Sequence, residues 1–299
     1  MDMLEHCYNV SLFDNLLHNH CQEKYIWESR SCRNQISFSG KEYELSFNIC
    51  SKYVQKYINF LNNLNLNIFM TNSSYKIKAN NYNWIFIIKN FNNKNFDQIL
   101  KILLEDITLV YLEINNVVYR HNLYKDKYLD HVLSLHPLSF IQPDNTIQSK
   151  LNYILLQLFE SVQINHLYLL GGQIVLFSKL LNYNTLFAYT DTESIYVDAK
   201  SYDIPIKLIS YKSYQFDKFI DKSYLIINNG KNGLGPNICD QLIKTTFKLI
   251  IIISCNSKSF LRDYNFIKQS YKIIKQYQIK TSYDVNIYLL EHNLMSRAK

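Results

Sequence analysis

The sequence predicts an α/β protein in two parts: a smaller α+β module over residues 1–136, then an α/β domain with a parallel central sheet over residues 137–299. Three observations predict it. Strand-length apolar runs in the second half lack polar alternation, the pattern of strands buried on both faces. Helices or loops separate those runs, as crossovers between parallel strands require. Around Pro137 the texture changes from short runs between Asn-rich turns to a long amphipathic helix.

In the first part, "QISFSG", "YELSFNI", "NIFMTN", "YKIKANN" and "NWIFIIKN" read as strands bounded by Asn-rich turns. Between and after them, "SKYVQKYINFLNNL" and "NFDQILKILLEDI" carry apolar residues at helical spacing. The second part opens with "IQSKLNYILLQLFESV", a helix with Leu151, Ile154, Leu155 and Leu158 on one face. The apolar runs "NHLYLL", "TLFAYTD", "IKLISY", "SYLIINNG" and "FKLIIIIS" follow as strands. Ligands of such sheets bind at the carboxyl ends of the strands.

The 299 residues, 47% of them hydrophobic, suffice for a substantial core. Asn, Ile, Lys, Tyr and Phe abound while Gly numbers 6 and Pro 4, a bias toward AT-rich codons that accounts for part of the +7 charge. The remaining excess suits a polyanion such as RNA or a solvated basic face. The six cysteines lie far apart, with no CxxC and no His cluster at metal-ligand spacing, so no metal is expected. The N-terminus lacks a signal-type apolar core, and no run of about 18 apolar residues occurs. The expectation is a cytoplasmic monomer with free thiols and no membrane partner.

Five of the glycines fall in two places. Gly171 and Gly172 follow "HLYLL", where a strand turns into a helix; there glycine serves either an ordinary turn or the close approach of a nucleotide-like ligand. About twenty residues on, Asp191 or Glu193 ends the next strand, where a carboxylate can accept from ribose hydroxyls. Gly230, Gly233 and Gly235 form the second group, in "LIINNGKNGLGP".

Residues Ser139, Phe140, Gln142, Pro143 and Asp144 in "HPLSFIQPDNTIQSKL" resemble the Ser-Phe-x-Gln-x-Asn motif of the S-adenosylmethionine-dependent RNA uracil-5-methyltransferases. Later motifs come in that family's order. "LIINNGKNGLGP" resembles its Asp-Pro-Pro-Arg-x-Gly-Leu loop, and "SCNSKSFLRDY" its Ser-Cys-Asn-Pro-x-Thr-Leu-x-Arg-Asp signature. Arg33 and Phe38 in "SCRNQISF" resemble its Tyr-Arg-x-x-x-x-Phe opening. The resemblance covers nearly the whole chain, is closest to the short tRNA-type branch, and leaves no further RNA-binding barrel expected ahead of it.

The resemblance implies a Rossmann-like methyltransferase domain that moves a methyl group from S-adenosylmethionine to C5 of a uridine, the T-loop uridine of tRNA. Cys255 would add to C6 of a flipped-out base, helped by a helix N-terminus and by Lys258 and Arg262 nearby in sequence. Gln142, Gly171, Gly172 and Asn228 would hold the donor, with Asp191 or Glu193 on its ribose. Arg33, Lys231 and Arg262 are the cations expected on RNA.

The chain departs from the family at the loop Asp, here Asn228, and at the second donor-loop glycine, here Ile174, which would crowd the methionine end of the donor. At the proton-abstracting Glu it has Val285, which leaves neighbouring Asp284 as the candidate base. An RNA-binding pseudoenzyme is the second expectation.

Overall fold

The computed structural model describes residues 35–39, 56–57, 59–61, 74–80, 82–128, 131–140, 142, 145–210, 220–228, 233–280 and 284–294. Arg33, Asp144 and Lys231, and the strands read at residues 43–49 and 67–72, lie outside them.

The first part is a five-stranded sheet in the order β1 (Gln35–Ser39), β2 (Ser74–Ala79), β3 (Trp84–Lys89), β4 (Leu109–Ile114), β5 (Val117–His121). Only β3 and β4 pair in parallel, and helix α1 (Phe96–Glu105) is the crossover between them. Its Ile99 and Leu103, one turn apart, bury against Trp84, Phe86 and Leu112 of the sheet. A hairpin, β6 (Tyr124–Tyr128) with β7 (His131–Leu135), follows. The sequence reading lacked β4 to β7: β5 and β6 are only five residues each, and β6, YKDKY, lacks the apolar run that marks a strand.

The second part is a seven-stranded sheet. Its order is β10 (Ile206–Leu208), β9 (Tyr183–Thr190), β8 (Ile164–Gly171), β11 (Tyr224–Asn228), β12 (Leu249–Ser254), β14 (Asp284–His292), β13 (Tyr271–Lys280). All run parallel except β14, which pairs antiparallel with both neighbours. Alternating residues of each central strand enter two cores. Leu167 and Leu169 of β8 and Ile251 and Ile253 of β12 face one; Tyr168, Leu170, Ile250 and Ile252 face the other.

Helices α2 (Asn145–Phe159), α3 (Ile174–Leu180) and α4 (Glu193–Ser201) fill the first core. Helices α5 (Pro236–Ile243) and α6 (Ser257–Ile267) fill the second. Such two-sided cover is what uninterrupted apolar strands require. On α2, Ile147, Leu151, Leu155 and Phe159 recur every four residues and are buried. The first core continues through Tyr124, Leu133 and Leu135 of the hairpin to Ile85 and Tyr111, so the hairpin joins the two sheets.

Strand order runs outward from β8 to β10 on one side and from β11 onward on the other. The chain therefore switches sides between the carboxyl ends of β8 and β11, where an open α/β sheet forms its crevice.

Candidate functional site

The crevice is walled by residues from four segments. At its floor, Gly171 pairs with Asn228 in the β8–β11 register, and Gly172 N–H donates to Asn228 O at 2.9 Å. Gly171 has φ +96°, in the region glycine tolerates. A Cβ on Gly172 would come within 3.2 Å of Phe140 Cδ1 and 3.5 Å of Asn228 Nδ2, so the turn admits no side chain there without a shift.

The next residue, Gln173, has φ +60° and is buried. A chain of amides holds it. Asn228 Nδ2 donates to Gln173 Oε1 at 2.9 Å, Gln173 Nε2 donates to Gln148 Oε1, and Gln148 Nε2 donates to Asn152 Oδ1 at 2.8 Å. Each amide donates one hydrogen bond onward, which satisfies polar groups that would otherwise be costly to bury. Sequence reasoning missed Gln173, Gln148 and Asn152; the spacing of two amides one turn apart on α2 was the available signal. Ile174, expected to crowd the methionine end of the donor, begins α3, is buried in the first core and lines the space beneath the strap, with Gln173 before it at the turn.

Across the crevice runs the strap His136–Phe140; Gln142, two residues beyond in sequence, is buried with 4% exposure. The strap's turn is closed by Ser139 N–H to His136 O at 2.9 Å and Leu138 N–H to His136 Nδ1 at 3.1 Å. Because Nδ1 accepts, Nε2 of neutral His136 carries the proton and donates to His121 Nε2, 2.9 Å away. Burial, followed by His121, lowers the His136 pKa against the charge of Glu193. A cavity of about 20 Å³ beneath the strap is lined by Ser139, Phe140, Gln173, Ile174 and Asp198.

Both carboxylates offered for ribose stand at the carboxyl end of β9 and are exposed: Asp191 just after the strand and Glu193 as the first residue of α4. Asp191 Oδ1 accepts from Thr192 Oγ1 at 3.2 Å.

Cys255 follows β12 and is exposed. It lies in a pinned turn. Ser254 Oγ donates to Asn256 O at 3.1 Å and accepts from Asn256 N at 3.2 Å. Asn256 caps α6, its Oδ1 accepting from Lys258 N at 3.1 Å and Ser259 N at 3.4 Å. The cysteine therefore precedes a helix start whose Lys258 and Ser259 N–H groups are already engaged by the cap. Cys239, the other described cysteine, is buried, and burial first, then Asp263 and Asp240, push its thiol up to about 12. Of these two, only Cys255 is accessible.

Arg262, expected to support the Cys255 thiolate, is bonded to Asp263. Its guanidinium donates to Asp263 Oδ1 through Nε at 2.9 Å and Nη2 at 2.7 Å. Asp263 is buried and its Oδ2 accepts from Leu234 N at 2.5 Å, so the pair braces the loop after β11. A Cβ on Gly233 would lie 2.2 Å from Asp263 Oδ2, which explains the glycine.

On β14, Val285 is 1% exposed and packed in the first core. Asn286 pairs with Ser254, next to Cys255, and its Nδ2 donates to Ser257 Oγ at 3.2 Å. Asp284 begins the strand opposite Lys280. Sequence reasoning missed Asn286 as the strand's polar residue beside the cysteine turn. Among the described residues no group of three His, Cys, Asp or Glu could hold a metal, and no helix is long and apolar enough to cross a membrane.

No family model matches the chain, and no curated protein matches it by sequence. Among solved structures it is similar to the tRNA (uracil-54, C5)-methyltransferase of Pyrococcus abyssi in complex with S-adenosyl-L-homocysteine. The TM-score is 0.58 at 14% identity, over 87% of this chain and 76% of that one. It is also similar to the N-methyltransferase NodS of Bradyrhizobium japonicum, with TM-score 0.41 and 11% identity over 50% of this chain and 98% of that one. At 14% identity the first likeness is one of fold, shared with that α/β protein.

Proposed function

We propose that the chain transfers a methyl group from S-adenosylmethionine to C5 of a uridine in RNA, the T-loop of tRNA being the favoured target, through a cysteine adduct at C6. The observation that carries this reading is the exposed Cys255 at the carboxyl edge of the sheet, just after β12, two strands from the glycine turn at the switch point. The shared fold with a tRNA uracil-54 methyltransferase supports the choice of base and RNA.

The residues that would hold the donor lie at the switch point: Gly171 takes a positive φ in the turn after β8, Gly172 follows it, and an exposed carboxylate, Asp191 or Glu193, lies one strand over. Gly171, Gly172 and Asn228 would hold the methionine end, Asp191 or Glu193 the ribose, and Gln142 would close the strap side. When bound, S-adenosylmethionine supplies an electrophilic methyl group.

Unmodified C5 of uracil is too weak a nucleophile to take that methyl. Attack of the Cys255 thiolate on C6 moves the C5–C6 π electrons toward O4 and makes C5 nucleophilic. After methylation a base removes the C5 proton, the double bond re-forms, and the C6–S bond breaks to return the thiolate.

Asp284 is the proposed base. Strand alternation gives position 284 the same face as Asn286, whose amide reaches Ser257 at the start of α6. Arg33, Lys231 and Arg262 are proposed on the RNA, Arg262 from its bond to Asp263, and residues 1–136 as the RNA-binding module.

A second reading, an RNA-binding protein without turnover, is favoured by Val285 lying sealed in the core where the family has its Glu. The test is incubation of purified protein with tRNA and methyl-labelled donor. Incorporation into 5-methyluridine that Cys255→Ala abolishes supports the first reading. Salt-sensitive tRNA binding with no incorporation and no donor affinity supports the second.

A further inference from the structure

We infer that Asp198 is a positioning residue, fixing the strap from His136 to Phe140 over the Gly171–Gly172 turn and thereby shaping the donor side of the crevice. This rests on the functional reading above. Asp198 lies in the body of α4, away from the strand ends, and is 4% exposed. Both carboxylate oxygens are directed at the strap: Oδ1 accepts from His136 N, and Oδ2 accepts from Ser139 Oγ. One turn further along the same helix, Tyr202 Oη accepts from Ser134 N at 2.7 Å, so two residues at i and i+4 grip the segment at successive points.

From the opposite side Lys78, on β2, reaches Ser139 O at 3.5 Å, and its ammonium lies 4.2 Å from the centre of the Tyr124 ring. Beyond the gripped turn, Phe140 is the side chain against Gly172. The strap is thus clamped by α4 below and by the first sheet beside it.

Neutral side chains would serve a purely structural clamp at lower cost, because burial disfavours the charged carboxylate and pushes Asp198 up to about 6. What the carboxylate adds is two acceptors in one plane, matched to a backbone N–H and a hydroxyl three residues apart. A fixed strap lowers the ordering cost of closing a ligand against Gly172.

Two measurements test this. In the ligand-free protein, Asp198→Ala should speed hydrogen exchange at the His136 amide and in the strap by about tenfold or more, leaving β8 and β12 unchanged. In the methyl-transfer assay it should raise the donor KM by about tenfold with kcat little changed, and Asp198→Asn, which keeps one acceptor, should recover part of the loss.

Unchanged strap exchange, or faster exchange with an unaltered donor KM, overturns the inference; so does a fall in kcat and global stability together. If Asp198→Ala does not fold, Ser139→Ala removes the Oδ2 contact alone and is read the same way. A wild-type protein with no donor affinity would remove the functional reading, and the exchange pattern would then decide the clamp by itself.

Discussion

The side-chain amide of Asn228 donates to Oε1 of Gln173 at 2.9 Å, and this contact ties the carboxyl end of β11 to the turn after β8. It holds a non-glycine residue at φ +60°. Two effects oppose each other at this position. Glycine there removes backbone strain worth about 0.5–1 kcal/mol, whereas loss of the amide leaves buried partners on Asn228 and Gln148 unsatisfied at about 1–3 kcal/mol. Gln173→Gly should therefore destabilise the fold, and Gln173→Ala should do so by roughly 1 kcal/mol more. Urea denaturation reads both; a Gln173→Gly variant as stable as wild type would show the amide chain to be dispensable.

Gly233 and Asp263 form a steric pair. The carboxylate that a Gly233 Cβ would strike at 2.2 Å is held by Leu234 N, and Gly233 has φ +79°. Gly233→Ala should cost on the order of 2–3 kcal/mol through strain and clash. Asp263→Ala removes the obstacle but orphans a buried N–H. The double variant should be more stable than the sum of the two losses by about 1 kcal/mol. Strict additivity in denaturation would contradict the pairing.

Lys78 makes stability depend on pH. Burial, with Lys76 adding to it, lowers its pKa from 10.5 to about 7 against the pull of Asp126 and Asp198. The folded state thus binds fewer protons than the unfolded chain between these values. Its contribution is complete above the unfolded pKa and is lost as pH falls toward 7, with a slope of up to about 1.4 kcal/mol per pH unit. Asp198 acts in the other direction lower down: its contribution is present below its ordinary 3.8 and is lost as pH rises through about 6. Lys78→Met should raise stability more at pH 7 than at pH 10. Equal effects at both would place the ammonium in a solvated site.

Thiol accessibility separates the two described cysteines. Iodoacetamide on the native protein, followed by peptide mass mapping, should label Cys255 quickly and Cys239 only after denaturation, because Cys239 is 1% exposed and disfavours its thiolate. Protection of Cys255 in the native state would remove the nucleophile from the proposed site.

The parallel strands were legible because burial on both faces leaves a sequence mark, four consecutive isoleucines in β12 among them. Cys255, Gly171, Gly172 and Asn228 were legible for a related reason: they end such strands. Gln173, Asp198 and Lys78 were not. A buried polar side chain reads like a surface one until its partners are known, and those of Asp198 lie 62 and 59 residues away. The bond of Arg262 to the very next residue, Asp263, was equally silent in the sequence. The hairpin strands β6 and β7 went unread because they are five residues each and β6, YKDKY, has no apolar run.

The central claim is a covalent bond between Cys255 and C6 of a uridine. Replacing the C5 hydrogen by fluorine lets the adduct form and take the methyl group, but leaves no proton to remove, so elimination stops. Wild-type protein incubated with 5-fluorouridine-substituted tRNA and S-adenosylmethionine should yield a denaturation-resistant protein–RNA species, mapped by mass spectrometry to Cys255 and missing in Cys255→Ala. Failure to form that species, or its persistence in Cys255→Ala, would contradict the account.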